Sequence, residues 1–366
     1  MITDCVDGFG RKINYLRVSI TDRCNLRCVY CMPEEGVVWL PHDDILRYEE
    51  IERIVRVGVG LGIDRVRVTG GEPLVRRGVV EFIGRLAAIQ GLQDISLTTN
   101  GVNLPEMAGA LASAGLRRVN ISLDTLQPER FAQVSRVDAH AKVLAGVEAA
   151  LAAGLHPVKL NVVVLRGFND DEVADFAALT LTRPVHVRFI ELMPLGESGK
   201  IEEDRFVASA EIKARLERVR PLLAPPPVPG QGPAEYFQWG EGAVGTVGFI
   251  SAISEHFCAS CNRLRLTADG RLHPCLAMDR TVDIRTALRG GADDREVAGI
   301  ILEAVGRKPR RHYMSAGLTG AVAEAAAADP AGDVEGDAAR GVDSPADDGP
   351  ADHEEIKRRR MFRIGG

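Results

Sequence analysis

The chain has 366 residues, 45% of them hydrophobic and 26% charged, a mix that supports a sizeable buried core and excludes a disordered or collagen-like chain. No run of about 18 apolar residues occurs and the opening residues lack a basic-then-apolar layout, so no membrane association is predicted and a cytoplasmic protein is expected. The net charge of −6 is uneven: between Glu324 and Glu355 eleven acidic residues against one arginine account for −10, leaving +4 elsewhere, which suits an anionic small molecule, while no aromatic-studded basic patch points to nucleic acid.

In chain order, short runs rich in Val, Ile and Leu alternate with helix-length segments. Strands are predicted at 16–22, 65–70, 95–100, 118–124, 158–165 and 185–193, several of them nearly continuous in apolar character, as strands covered on both faces are. Helices are predicted at 49–61, 79–89, 105–115, 141–154 and 170–180. Six strand–helix repeats in series predict an α/β fold over residues 1–195, with a parallel sheet either curved into a partial barrel or open. In such folds the site lies at the C-terminal ends of the strands. Over 196–322 the pattern changes to a Pro/Gly loop at 221–237 and a small Cys-containing β unit at 242–276, with a hairpin turn at Ala268-Asp269-Gly270. The Ala/Asp/Gly/Pro stretch at 323–356 has too little apolar surface to order itself, and a basic tail, 357–366, ends in Gly365-Gly366.

Six of the seven cysteines fall into two triplets; Cys5 stands apart as a bystander thiol. Two local triplets in a chain with an odd total argue against a disulfide framework and for metal or iron–sulfur ligation. Cys24, Cys28 and Cys31, spaced CxxxCxxC, follow the first predicted strand. Three thiolates on one cubane leave one iron open for chemistry. A zinc site would need a fourth ligand, and the nearest candidate, His42, is well outside the loop. Gly70-Gly71-Glu72-Pro73 ends the second predicted strand; glycines there admit a ligand to the backbone, and the carboxylate can accept from an ammonium. Cys258 and Cys261, with Cys275 after 13 intervening residues, form the second triplet. His256 and His273 lie close in sequence, so a Cys₃His zinc site and an open cluster both remain compatible with this spacing.

CxxxCxxC followed by Met32-Pro33, together with the GGEP element, resembles the signature of the radical S-adenosylmethionine superfamily. The second triplet, with Asn262-Arg263-Leu264-Arg265 inside it, closely resembles the C-terminal motif of the GTP 3′,8-cyclase family of molybdenum-cofactor biosynthesis. Further similarity lies in Gly8-Phe9-Gly10-Arg11, Tyr15-Leu16-Arg17, Arg67, Thr98, Ser122 with Asp124, Lys159 with Asn161, and Arg188 with Met193. The resemblance implies a partial (βα)6 TIM-type barrel closed by a Cys-rich α+β extension. It implies two [4Fe–4S] clusters, one held by Cys24, Cys28 and Cys31 and the other by Cys258, Cys261 and Cys275.

S-adenosyl-L-methionine would then be contacted by Tyr30, Gly71, Glu72, Ser122 and Met193. GTP would be contacted by Arg17, Arg67, Thr98, Lys159, Arg263 and Arg265, with Arg17, Arg263 and Arg265 catalytic. The reaction implied is that of a lyase which makes 3′,8-cyclo-7,8-dihydro-GTP. Implied partners are an electron donor of flavodoxin or ferredoxin type and a downstream cyclic pyranopterin monophosphate synthase; the resemblance also allows a homodimer. The Gly-Gly tail would reach toward the site. Read without the resemblance, Arg17 is an ordinary charge at a strand start, Lys159 a solvated side chain and Met193 core filler. Two rivals remain: a peptide-maturing radical enzyme with an auxiliary cluster, and a non-catalytic zinc scaffold.

Overall fold

The computed structural model describes residues 4–195, 203–230, 232–278, 280–312 and Met314. The acidic stretch at 323–356 and the Gly365-Gly366 tail lie outside the described residues.

Six parallel strands run in sequence order: β1 Tyr15–Ser19, β2 Arg65–Thr69, β3 Asp94–Thr99, β4 Arg118–Ser122, β5 Val158–Val163 and β6 Val185–Ile190. The crossovers are α1 Tyr48–Gly60, α2 Val79–Ala87, α3 Leu104–Ser113, the pair α4 Pro128–Ser135 and α5 His140–Ala152, and α6 Val173–Thr182. Helix α4 is absent from the sequence reading. Its eight residues, started by Pro128, are too short for a clear periodic signal, yet they bury Phe131 and Val134.

Each strand alternates between two buried environments. Leu16, Val18, Val66, Val68, Ile95, Leu97, Val119, Ile121, Leu160, Val162, Val187 and Phe189 join the main apolar core. The intervening residues include Arg17, Arg67, Ser96, Asn120, Lys159 and Arg188, which are also buried. A strand buried on both faces is what a parallel sheet produces. Here one buried face is polar, which the reading of near-continuous apolar runs did not anticipate.

The later part of the chain builds no sheet of its own among the described residues. It comprises α7 Ser209–Glu217, β7 Leu222–Leu223, β8 Glu235–Trp239, β9 Thr246–Ile250, β10 Arg263–Leu266, β11 Arg271–His273, β12 Val282–Asp283, α8 Arg285–Arg289 and α9 Asp294–Gly306. Strand β9 adds in parallel to β6 and β10 adds in parallel to β1, giving the order β12-β11-β10-β1-β2-β3-β4-β5-β6-β9-β8-β7. The β unit foreseen at 242–276 is therefore split between the two edges of the main sheet. Ile250 of β9 and Arg263 of β10 line one cavity although their strands stand seven places apart, so the sheet curls around that cavity.

Helices α3 and α5 pack so closely that a Cβ built on Gly146 would come 2.4 Å from the Gly101 carbonyl oxygen, whereas Gly109 on α3 has open space. Gly109→Ala is expected to stabilise by about 0.5–1 kcal/mol through helix propensity. Gly146→Ala is expected to destabilise by about 1–3 kcal/mol despite the same propensity gain, because backbone cannot yield as a side chain does. Urea-unfolding midpoints of the two variants, moving in opposite directions, check this pairing.

Candidate functional site

The first cysteine triplet sits on the loop that leaves β1. Its backbone is joined to the loop that leaves β2: Gly71 N–H donates to Thr21 O at 2.8 Å and Glu72 N–H to Arg23 O at 2.8 Å. A Cβ at Gly71 would stand 2.3 Å from Arg23 O, and Gly70 has φ +155° with a would-be Cβ 2.6 Å from Thr21 O. Both glycines are thus required by the approach of two backbones. The Glu72 carboxylate is buried and accepts from Leu74 N–H (2.9 Å), the Thr99 hydroxyl (2.8 Å) and Asn100 N–H (2.6 Å). Burial lifts its pKa to about 7 against those donors. Three of its lone-pair directions therefore serve to fasten the β2 and β3 loops together, a use the sequence did not disclose, and one is left for an ammonium.

Tyr30 donates its hydroxyl to Asp124, 2.5 Å away, and Asp124 also accepts from Val163 N–H at 2.9 Å. This ties the cluster loop to the ends of β4 and β5, where Ser122 and Asn161 pair in register. Cys24 accepts from Leu26 N–H at 3.4 Å and from the Asn100 amide at 3.8 Å. Burial raises the Cys24 thiol to about 11, and burial followed by the neighbouring Cys31 raises Cys28 well above the ordinary thiol range. Clustered thiols that resist ionisation, as Cys24 and Cys28 do, call for a multivalent cation.

Cys258 and Cys261 lie on the β9–β10 connection and Cys275 follows β11. Burial raises Cys258, while at Cys261 burial is outweighed by Arg263 and Lys308, which bring the thiol down to about 6. Among the described residues, the group with ligand atoms all within 4.8 Å of one another is His256, Cys258 and His312. Neither cysteine triplet converges in that way. A single zinc with bonds of about 2.3 Å would draw its thiolates to about 4 Å from one another, so the wider spread fits a multi-iron cluster. His42 joins no such group with the first triplet, and His312, far from the second triplet in sequence, stands nearer to it than the sequence could show.

The second triplet opens onto a cavity lined by Arg17, Arg67, Thr98, Asn161, Arg188, Met193, Arg263, Arg265 and all three of its cysteines; Cys24, Cys28, Cys31, Tyr30, Gly71, Glu72 and Ser122 are not among its lining residues. Arg265, Arg17, Arg67 and Ser96 are consecutive partners across β10, β1, β2 and β3, so three guanidinium-bearing residues stand in one register row. Arg17 is held well below its usual pKa by burial and then by Arg265 and Arg67; burial takes Arg67 and Arg265 to about 10. The Thr98 hydroxyl and His312 Nε2 are buried without a hydrogen-bond partner. A cationic cavity with orphaned polar atoms is complementary to a polyanion that carries further polar groups.

Arg17 sits mid-strand and buried, not at an exposed strand start. Lys159 is 2% exposed and is not among the cavity-lining residues; its Nζ donates at 3.0 Å to the carbonyl of Pro229, a few residues before Gly232 and Pro233, which line the cavity. Met193 lines the cavity and packs on a second small core of Leu195, Phe206, Ile253, Ala277 and Met314. Arg188 and Asn161 are lining residues to which the sequence reading gave no role. Arg188 donates to Asn161 Oδ1 at 2.9 Å and Asn120 Oδ1 at 2.8 Å. Their position on the polar alternate face of β5 and β6 is the signal that could have found them.

Residues 18–180 match the radical SAM superfamily and residues 185–314 match Molybdenum Cofactor Synthesis C. The chain is 56% identical to the GTP 3′,8-cyclase of Heliobacterium modesticaldum over 84% of this chain and 94% of that one. It is 55% identical to the GTP 3′,8-cyclase of Moorella thermoacetica over 85% of this chain and 96% of that one. Among solved structures it is similar to Streptococcus suis SuiB bound to its precursor peptide (TM-score 0.55, 13% identity, 80% of this chain and 68% of that one). The same protein bound to S-adenosylmethionine gives a TM-score of 0.52 at 13% identity, over 79% of this chain and 67% of that one. At that identity the two structures speak for the fold alone.

Burial, followed by Arg188, Arg118 and Arg67, lowers Lys159 to about 6. Between that value and its unfolded pKa near 10.4 the unfolded chain binds the extra proton, so this lysine destabilises the fold most near pH 6 and ceases to do so by about pH 10. Lys159→Met at matched metal content is expected to raise the unfolding free energy by roughly 1–4 kcal/mol at pH 7, an advantage that shrinks as pH rises. Chemical unfolding of both proteins across pH 6–10 checks the size and the sign.

Proposed function

The chain belongs to the family of GTP 3′,8-cyclases, and we propose that its two cysteine triplets and its buried arginine row bind the reactants of that family's step in molybdenum-cofactor biosynthesis. The reaction converts GTP to (8S)-3′,8-cyclo-7,8-dihydroguanosine 5′-triphosphate. The observation that carries the reading is the row Arg265, Arg17, Arg67, closed on one side by the second triplet.

Cys24, Cys28 and Cys31 would hold one [4Fe–4S] cluster and Cys258, Cys261 and Cys275 the other, and the wide spread of each triplet fits them. Reduced and loaded with S-adenosylmethionine, the first cluster supplies a 5′-deoxyadenosyl radical for removal of the ribose 3′ hydrogen. Tyr30, Gly71, Glu72, Ser122 and Met193 would hold S-adenosylmethionine. The Gly70-Gly71 backbone is held against the loop that leaves β1, and Tyr30 is fixed by Asp124.

Arg17, Arg67, Arg263 and Arg265 supply fork donors for the triphosphate. Thr98 offers its unpartnered hydroxyl. Lys159, one layer out on β5, adds positive potential when an anion restores its proton. Arg17, Arg263 and Arg265 would also hold the ribose against the radical and keep water out, which in such chemistry is the protein's part. An external one-electron donor is required, and the product must be consumed by an enzyme that rebuilds the purine skeleton, of the cyclic pyranopterin monophosphate synthase type. No helix among the described residues is long and apolar enough to cross a membrane.

Anaerobically reconstituted protein is expected to hold about eight iron and eight sulfide per chain. With dithionite and S-adenosylmethionine it is expected to release 5′-deoxyadenosine faster with GTP than with ATP, with deuterium from 3′-deuterated GTP in that product. Release indifferent to GTP, without a cyclised nucleotide, would falsify the substrate. Arg17→Ala and Arg265→Ala are each expected to weaken GTP binding by about 10- to 150-fold, the range for a lost charge-assisted hydrogen bond. Both should leave S-adenosylmethionine binding intact, as read by equilibrium dialysis.

A further inference from the structure

The stretch that leaves α9 holds the second triplet from behind. Lys308 is 5% exposed, and its Nζ lies 2.7 Å from Arg263 O, 2.8 Å from Pro274 O and 3.7 Å from Cys261 Sγ. Three acceptors around one nitrogen use all three N–H groups of an ammonium; a neutral amine has one donor too few. One acceptor opens β10, which carries Arg263 and Arg265, and another immediately precedes Cys275. The sulfur belongs to the cysteine two residues before β10. The segment is itself anchored: Arg11 donates to Pro309 O at 2.6 Å, to Arg310 O at 3.1 Å and to Cys258 O at 2.8 Å.

We infer that Lys308 is a positioning residue for the second cluster: its buried ammonium locks Cys261, Cys275 and the arginine-bearing strand β10 into one geometry and, as a fixed cation that joins Arg263 beside a ligating sulfur, raises that cluster's reduction potential. Reduction adds negative charge, so a fixed positive charge and an N–H···S hydrogen bond both favour the reduced state. Such groups around a metal's ligands set its properties as much as the ligands do. The inference rests on the reading that Cys258, Cys261 and Cys275 hold a cluster.

The test uses full-length protein, reconstituted anaerobically, as wild type, Lys308→Met and Lys308→Arg. Each is titrated with reductant and followed by electron paramagnetic resonance. The second cluster's signal is the one that does not move when S-adenosylmethionine is added. Lys308→Met, which keeps the stem and removes the charge, is expected to shift that signal's midpoint to more negative potential, or to lose about half of the iron. The first cluster should still cleave S-adenosylmethionine, and Lys308→Arg should restore the wild-type midpoint. Identical midpoints and spectra in wild type and Lys308→Met would overturn the inference, as would equal failure of both variants. A wild-type protein that holds one cluster would overturn it together with the reading beneath it.

Discussion

The structure is organised around an interior that electrostatics disfavours. Arg17, Arg67, Arg188 and Arg265 are each less than a tenth exposed, and three of them lie in one register row. Like charges at the spacing of neighbouring strands repel, and burial removes the water that would screen them. Hydrogen bonds from Arg188 to Asn120 and Asn161 and the stacking of Arg67 over Tyr15 offset part of this cost. A polyanion bound in the cavity, as proposed, would offset more, so the arrangement that weakens the empty protein would strengthen that complex. Stability and binding draw on one set of residues in opposite directions.

That interior is held in shape in large part by contacts to backbone groups around it. The loops leaving β1 and β2 are hydrogen-bonded to each other through Gly71 and Glu72, and the Glu72 carboxylate carries the connection on to β3. On the far side Arg11 and Lys308 do the equivalent for the second triplet, reaching across the chain to bind carbonyls. Each cysteine group therefore arrives with its supporting shell in place, which limits the reorganisation left for the moment of binding.

Much of this was legible in the sequence because the information was local. The strand–helix repeat, both CxxC-containing loops and the GGEP turn are read from neighbours, and α1, α2, α3, α5 and α6 stand within a few residues of their expected places. What was not legible depends on long-range pairing. Nothing near residue 246 or residue 263 says that β9 and β10 will add to opposite edges of one sheet, because edge selection is decided by partners about 60 and 250 residues away. His312 and Lys308 escaped for the same reason: each acts on cysteines that precede it by more than thirty residues. Without the resemblance, which makes Lys159 a GTP contact, it reads as solvated, because a lone lysine on a strand looks like an outward charge until the sheet is known to be covered on both faces.

The placement of β10 joins these levels. Cys261 lies two residues before it, Arg263 and Arg265 face the cavity, and Leu264 and Leu266 enter the main core. Because strand alternation has a period of two, a slip of one residue against β1 would put both arginines into the apolar layer and both leucines into the cationic cavity. The apolar pair therefore enforces the register that brings Arg265 beside Arg17 and, two residues earlier, sets the position of Cys261. The proposed metal ligation and anion recognition would then be two consequences of a single pairing, in which burial of two leucines fixes the geometry of Arg263, Arg265 and Cys261 beside it.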